Sequence, residues 1–234
     1  MIKSISKFKH ESEFTIGIEE EYMLCDPLTG NLISRADEIM GLLPKQLKQR
    51  YSYELIQSEI EINTSICKNV NAAMDEIVLL RNNTKMLGKN LGFRLGISGT
   101  HPTAICQKQK FVNNNSYAWV VDQLNYYARR NVTFAMHVHI AVNDENCAIH
   151  VVNSLRQWIA PLLALSTNSP FFEGELTGLR SSRTFQFGVF PRTNIPVRFN
   201  NYDEYKFLIK QYIETNTIEK PRQIWWKIRP HTEY

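Results

Sequence analysis

Paired cysteines, long apolar runs and clustered positive charge are all missing from this 234-residue sequence. Its four cysteines, Cys25, Cys67, Cys106 and Cys147, form no Cys-x-x-Cys pair. In a chain of this length, dispersed thiols read as small buried hydrophobes in a reducing compartment, not as a disulfide framework. The longest apolar run, Trp158 to Leu165, is far too short to span a bilayer. The opening Met1-Ile-Lys-Ser-Ile-Ser-Lys-Phe-Lys holds no apolar signal-peptide core. The expectation is therefore a cytoplasmic protein that engages no membrane. Lys and Arg number 27 against 23 acidic residues, for a net charge of +4. They are scattered along the chain, so no nucleic-acid partner is indicated, whereas small anionic substrates fit a mildly basic protein. There is no Walker A loop and no G-x-S-x-G elbow, and no repeat or low-complexity tract. No nucleophile motif presents itself.

What is present centres on Phe14-Thr-Ile-Gly-Ile-Glu-Glu-Glu-Tyr-Met-Leu24. Alternation makes this a strand. Phe14, Ile16, Ile18, Tyr22 and Leu24 share one face, interrupted by Glu20. Thr15, Gly17, Glu19, Glu21 and Met23 share the other. Glu19 and Glu21 thus point the same way, with Cα atoms about 6.6 Å apart. Two carboxylates on one face repel, and burying them unpaired is costly. A divalent cation resolves both problems, and Mg²⁺ favours such oxygen ligands. The alternative is an acidic edge strand whose charge discourages aggregation.

Residues 1–13 are polar and read as a loose N-terminal segment. Asp26 to Asn31 is a turn, and Ala36 to Leu43 a short helix stopped by Pro44. Tyr53 to Asn63 alternates as a second strand, with Ile56, Ser58, Ile60 and Ile62 on one face and Gln57, Glu59, Glu61 and Asn63 on the other. Asn71 to Leu91 has the period of a long helix capped by Asn71 and closed by Gly92. Phe93 to Thr100 reads as a strand, Gln107 to Asn115 as a polar loop and Ser116 to Arg130 as an aromatic-rich helix. Phe134 to Val142 alternates a third time, with Ala135, His137, His139 and Ala141 opposite an apolar face. Asp144 caps a helix running to Leu165. Residues 166–196 are irregular and carry Arg180, Arg183 and Arg192, a composition that marks functional loops. Asp203 to Glu214 is a helix, and Ile224 to Pro230 a final strand with Trp225, Lys227 and Arg229 on one face. The economical architecture is one α+β domain whose sheet bears the chemistry on its polar face.

Glu19/Glu21, Glu59/Glu61 and His137/His139 repeat one device, two ligating groups at i and i+2 opposite an apolar face. Carboxylates with imidazole and no thiolate favour Mg²⁺, with Mn²⁺ as the alternative, over structural zinc. Such a site beside a basic segment suggests a nucleoside triphosphate, with Arg183 and Arg229 as candidate cations for its phosphates.

These residues carry a resemblance. Gly17-Ile-Glu-Glu-Glu-Tyr22 followed by Asp26-Pro-x-Thr-Gly30 resembles the opening of the glutamate–cysteine ligase type 2 family, the bacterial carboxylate–amine ligases. The likeness continues, in family order, through Glu54-Leu-Ile-Gln-Ser-Glu-Ile-Glu61, Gly99-Thr-His-Pro102, His137-Val-His139 and Ala164-Leu-Ser-Thr-Asn-Ser-Pro-Phe171. It extends through Thr177-Gly-Leu179 with Ser182-Arg183, Pro191-Arg-Thr193 and Ile224-Trp-Trp-Lys-Ile-Arg-Pro-His231. It implies a curled, mainly antiparallel sheet with helices on its outer face, of the glutamine synthetase/glutamate–cysteine ligase kind. It also implies an ATP-dependent ligase that joins the γ-carboxylate of L-glutamate to the amine of L-cysteine, or another amine, through an acyl phosphate. That activity belongs to glutathione biosynthesis.

By the same resemblance Glu19, Glu21, Glu61 and His137 are expected metal ligands. His139 and Arg183 are expected at the cofactor, and Arg183 and Arg229 in the catalytic machinery. Which of the two histidines coordinates is left open by the strand pattern. A homodimer is the candidate assembly. At Glu59 the family often has glutamine, which sets Glu59 aside as a bystander. The family continues after the Ile224 segment into a further strand bearing a Glu and an Arg, then into helices, whereas this sequence stops at Tyr234. Residues 14–234 are accordingly expected to be an incomplete, C-terminally truncated catalytic domain. The alternative to an active ligase is a truncated remnant that binds Mg-nucleotide weakly or needs a complementing chain. A metal-dependent hydrolase would use similar groups but would not explain the order of the motifs.

Overall fold

The computed structural model describes residues 14–113 and 115–231. They gather into two compact units. One comprises residues 16–139 and 167–187, the other residues 14–15, 140–166 and 188–231. The expected loose segment 1–13 lies outside the described residues.

The first unit is built on a sheet whose central strand is β1 (Ile16–Cys25). Helix α1 (Ala36–Leu42) follows and ends before Pro44 as the sequence predicts, and a short helix α2 (Lys45–Lys48), not expected, comes after it. Next come β2 (Tyr51–Tyr53), β3 (Glu59–Asn63), α3 (Val70–Leu91) and β4 (Arg94–Gly96). The strand order is β2-β3-β1-β4, and β5 (Met136–Ile140) also pairs with β1. The pairs β1–β3, β1–β4 and β2–β3 are all antiparallel. The fold is thus α+β with a mainly antiparallel sheet.

Alternation along β1 decides which face is apolar. Tyr22 and Leu24 join Ile60, Ile62 and Tyr51 in a core closed by Ala36 and Ile39 of α1 and Leu80 of α3. Glu20 falls on this apolar face, where the pattern left it unexplained. Arg81 of α3 reaches it, its Nε donating to Glu20 Oε2 at 2.9 Å and its Nη2 to Oε1, while the Tyr22 hydroxyl donates to the same carboxylate. Helix α3 is capped by Asn69, whose side chain accepts from the Ala72 N–H, and not by Asn71 as its sequence period suggested. Gly92 ends it with φ +71°, the left-handed conformation that glycine adopts without steric cost.

The expected single strand 53–63 does not form. The chain reverses at residues 54–58, and β2 pairs back on β3 with Tyr51 opposite Ile62 and Tyr53 opposite Ile60. Gln57 and Ser58 explain the break, because both side chains bond outside the ladder, to Asp37 and Gln109 respectively. The strand at 93–100 is likewise confined to β4. The aromatic-rich segment divides into α4 (Asn115–Leu124) and a tighter 3₁₀ turn, Asn125–Arg130. The apolar face predicted for β5 is not core: Met136 and Val138 are exposed.

In the second unit Asp144 caps α5 (Glu145–Leu155), accepting from the Cys147 N–H at 2.8 Å. The expected helix to Leu165 is interrupted by a 3₁₀ turn at Arg156–Trp158 and restarts as α6 (Ile159–Ser166). Pro161 therefore stands in a first turn, where its missing N–H breaks no helical bond. In the first unit, Phe171–Phe172 and Glu175–Leu176 form the small hairpin β6–β7, followed by α7 (Ser182–Gly188). Back in the second unit, α8 (Tyr202–Glu214) is capped by Asn201. Ile149, Phe199, Tyr202, Tyr205, Ile209, Ile218 and Ile224 make this unit's core. The strand predicted at Ile224–Pro230 is absent. Trp225 and Lys227 donate to the Arg192 and Asn194 carbonyls at 3.0 and 2.8 Å. Arg192 and Asn194 have φ of +59° and +74°, and a ladder cannot propagate along left-handed residues.

Candidate metal centre

The carboxylates cluster because of strand register. In the antiparallel pairing of β1 with β3, Glu21 stands directly opposite Glu61 and Met23 opposite Glu59. Like charges facing across a ladder are destabilising, so this register brings electrostatic strain with it. The reversal at 54–58 then folds Glu54 back to the same place. One oxygen from each of Glu21, Glu54 and Glu61 lies within 4.8 Å of the others, and the same holds for ligand atoms of Glu19, Glu61 and His137. The two groups share Glu61.

The histidines of β5 meet Glu19. His137 Nδ1 lies 3.2 Å from Glu19 Oε2 and 3.9 Å from Glu21 Oε1, and His139 Nε2 lies 3.2 Å from Glu19 Oε1. Both histidines therefore face the carboxylates, as the alternation predicted, and His137 is the one within the three-residue ligand group.

The charges are unevenly settled. Burial alone would raise the Glu19 carboxyl, but hydrogen bonds from His137 and His139, with their charge, hold it well below the usual range. Burial raises Glu21 despite the opposing charges of His137 and Arg183. Burial, together with neighbouring carboxylates, pushes Glu54 and Glu59 well up and Glu61 to about 7. Glu54 and Glu61 stand close enough for the charge of Glu61 to help raise the Glu54 carboxyl. Burial lowers His137, yet the Glu19 hydrogen bond and the charges of Glu21, Glu19 and Glu61 leave it raised. Glu59 is 3% exposed, and its Oε1 has no hydrogen-bond partner among the described residues.

Arg183 supplies a half-buried cation. It stands in the first turn of α7, donates from Nε to the Phe134 carbonyl at 2.7 Å and lies 5.1 Å from the Phe187 ring. Burial lowers its pKa, and the charges of Glu21 and Glu59 oppose that shift. Gly99 makes space for it. A Cβ on Gly99 would stand 3.0 Å from Ser169 Oγ and 3.1 Å from both Cβ and Cδ of Arg183. Arg229 belongs to the other unit, where its Nη1 donates to the Arg222 and Ile224 carbonyls at 2.9 and 2.7 Å.

The structure thus brings Glu19, Glu21, Glu61, His137, His139 and Arg183 into one unit. It adds Glu54, which the sequence reading left out of the site, and Glu59, which that reading set aside as a bystander. Straight alternation through 53–63 put Glu54 on the apolar face, and only the polar pair Gln57-Ser58 hints at the reversal that reorients it. Tyr117 was missed as well. Its hydroxyl donates to the Tyr53 carbonyl, and burial with the charges of Glu54 and its neighbours raises its pKa.

The donor set fits a hard divalent cation. It offers carboxylate oxygens, one imidazole and no thiolate. Glu59, outside both three-residue groups, adds a buried carboxylate oxygen lacking a donor among the described residues.

Comparison with known proteins gives a consistent picture. The profile of the glutamate-cysteine ligase family 2 (GCS2) matches residues 15–234. A candidate glutamate–cysteine ligase 2 of Solibacter usitatus is 42% identical over 218 residues, covering 93% of this chain and 57% of that protein. One from Herpetosiphon aurantiacus is 39% identical over 218 residues, with the same coverage. The chain therefore spans 57% of the length of these curated relatives. Among solved structures, a bifunctional glutathione synthetase from Pasteurella multocida superposes with a TM-score of 0.60 at 14% identity, over 87% of this chain and 30% of that one. Among the described residues, no helix is long and apolar enough to cross a membrane.

Proposed function

The chain belongs to the glutamate–cysteine ligase family 2, and from that premise we propose that it serves ATP-dependent ligation of a carboxylate to an amine. L-Glutamate and L-cysteine, or another amine, are the proposed substrates. The observation that carries the reading is the buried carboxylate group of Glu19, Glu21, Glu54, Glu59 and Glu61, faced by His137 and Arg183. A protein gains nothing in stability from such an arrangement unless a cation joins it.

Glu19, Glu21, Glu61 and His137 would hold Mg²⁺ or Mn²⁺, with Glu54 as a further oxygen ligand. A divalent ion there supplies charge neutralisation between anionic reactants. Arg183 is the proposed cation for phosphate or substrate carboxylate. In the proposed reaction an oxygen of the γ-carboxylate attacks the terminal phosphorus of ATP and ADP leaves. The amine nitrogen then attacks the acyl carbon and the phosphate leaves with the bonding pair. No protein nucleophile is required, in keeping with the absence of such a motif. The lowered pKa of Glu19 keeps it anionic at neutral pH.

A second reading is favoured by the chain's 57% share of its relatives' length. In it the chain binds Mg-nucleotide weakly and acts only with a complementing segment. Calorimetry separates the possibilities. Glu19→Gln, which removes charge but little volume, is expected to weaken Mg·ATP binding at least tenfold with the fold intact. Unchanged affinity would refute the metal assignment. Glutamate- and cysteine-dependent ADP release by the chain alone, with γ-glutamylcysteine detected, would favour the first reading over the second.

A further inference from the structure

Helix α6 breaks the rule that every other long helix of its unit obeys. Helix α5 buries Ala148, Ile149 and Val152, and α8 buries Tyr202, Tyr205 and Ile209, each by one stripe with polar residues outside. Helix α6 reads Ile-Ala-Pro-Leu-Leu-Ala-Leu-Ser, so Ser166 is its only polar residue; Ile159 and Leu163 are half-buried and its other six residues are exposed. Leu165 is 85% exposed, Leu162 52%, and Trp158, on the turn leading in, 55%. A helix apolar all round is a buried helix, and a contiguous exposed apolar patch marks an interaction surface.

We propose that α6 is a docking helix for the part of a family-2 polypeptide that lies outside the region shared with this chain. Size selects that occupant over a second copy. A standard interface takes roughly 20–30 residues a side, and α6 has eight. The relatives, by contrast, carry over two fifths of their length beyond the shared region, enough for a layer that encloses a helix. The proposal deepens the second reading above. Its test does not use catalysis, so either can fail without the other.

Hydrogen exchange provides the test. In this chain the amides of 159–166 are expected to exchange rapidly. In the intact Solibacter usitatus relative, the helix aligned with α6 is expected to exchange at least tenfold more slowly. Co-expression of this chain with the remainder of that relative should give a complex that co-purifies and slows exchange at 159–166. Leu162→Asp with Leu165→Asp should abolish co-purification while leaving the circular dichroism spectrum of the free chain unchanged. Equal exchange of the helix in the intact relative and in this chain overturns the proposal, whatever co-expression yields. It is equally overturned if protection at 159–166 rises with this chain's own concentration, in step with a dimer by light scattering, because a second copy then covers the helix.

Discussion

Glu20 and Glu21 are neighbours on β1, and the protein treats them in opposite ways. Glu20 points into the apolar core and receives Arg81 and the Tyr22 hydroxyl, so each carboxylate oxygen has a donor. Glu21 points to the other face, opposite Glu61 and beside Glu54, where carboxylates outnumber Arg183 and the histidines. One face completes its electrostatics with its own side chains. The other leaves its negative charge in excess while burying it. That difference separates a structural acid from a site built for something brought from outside, and a count of acidic residues in the sequence would not reveal it.

The largest expected effect comes from breaking the completed side. Arg81→Met removes both guanidinium bonds and strands Glu20, which is 6% exposed. Breaking a buried pair from one side costs about 3–5 kcal/mol. Because the Arg81 side chain is itself 43% exposed, the low end, about 3 kcal/mol, is expected in urea denaturation. Adding Glu20→Gln should recover a good part of that loss, since the stranded charge disappears. A loss below about 1 kcal/mol in the single variant would mean that water, not Arg81, satisfies Glu20.

On the unfinished side the sign reverses. The Glu61 carboxyl is raised from its ordinary 4.5 to about 7 in the folded state. A raised carboxyl contributes stability fully below its unfolded value and loses that contribution as pH rises through the folded value. His137, raised above 6.5, acts in the same sense, its contribution fading as pH climbs past its ordinary value. Glu19 is lowered, so its contribution persists above 4.5 and is lost only in stronger acid. In chelator, stability should therefore fall between pH 4.5 and 7, by about 2–3 kcal/mol. Glu61→Gln should flatten the part of that slope that Glu61 carries, the raised Glu21, Glu54 and Glu59 keeping the rest, and Mg²⁺ should oppose it, because a bound cation favours the ionised carboxylates. A flat curve for the unsubstituted protein in chelator would show that the cluster is not strained.

The same contrast explains what the sequence made legible. Period-two alternation found β1, the polar face of Glu19 and Glu21, and the histidine face of β5, because a strand's side chains alternate whatever surrounds it. Helices 36–43, 71–91 and 203–214 were found, to within a residue or two, from their period and caps. The partner of Glu20 was not legible, since Arg81 is 61 residues away and helical period says only that it lies on α3. Glu54 was not legible because a turn, not a strand, aims it. The final strand failed for a similar reason. Its alternation is real, but positive φ at Arg192 and Asn194 denies it a partner.

The smallest expected effect tests whether Arg183 is positioned as closely as the carboxylates it faces. Gly99→Ala adds one methyl group and no charge, and φ at Gly99 is not in the left-handed range, so the backbone itself accepts alanine. The strain arises instead from Ser169 Oγ at 3.0 Å and from Cβ and Cδ of Arg183 at 3.1 Å. Over-packing of this size costs about 1 kcal/mol. Relief has two routes, a move of Ser169 or a move of Arg183, and only the second alters the cation beside Glu21 and Glu59. Gly99→Ala is expected to lower Mg·ATP affinity several-fold. Adding Ser169→Ala removes the nearer contact and should restore stability more fully than affinity, since the two Arg183 contacts remain. If the double variant regains affinity and stability together, the methyl group was accommodated at Ser169 alone, and Gly99 does not position Arg183.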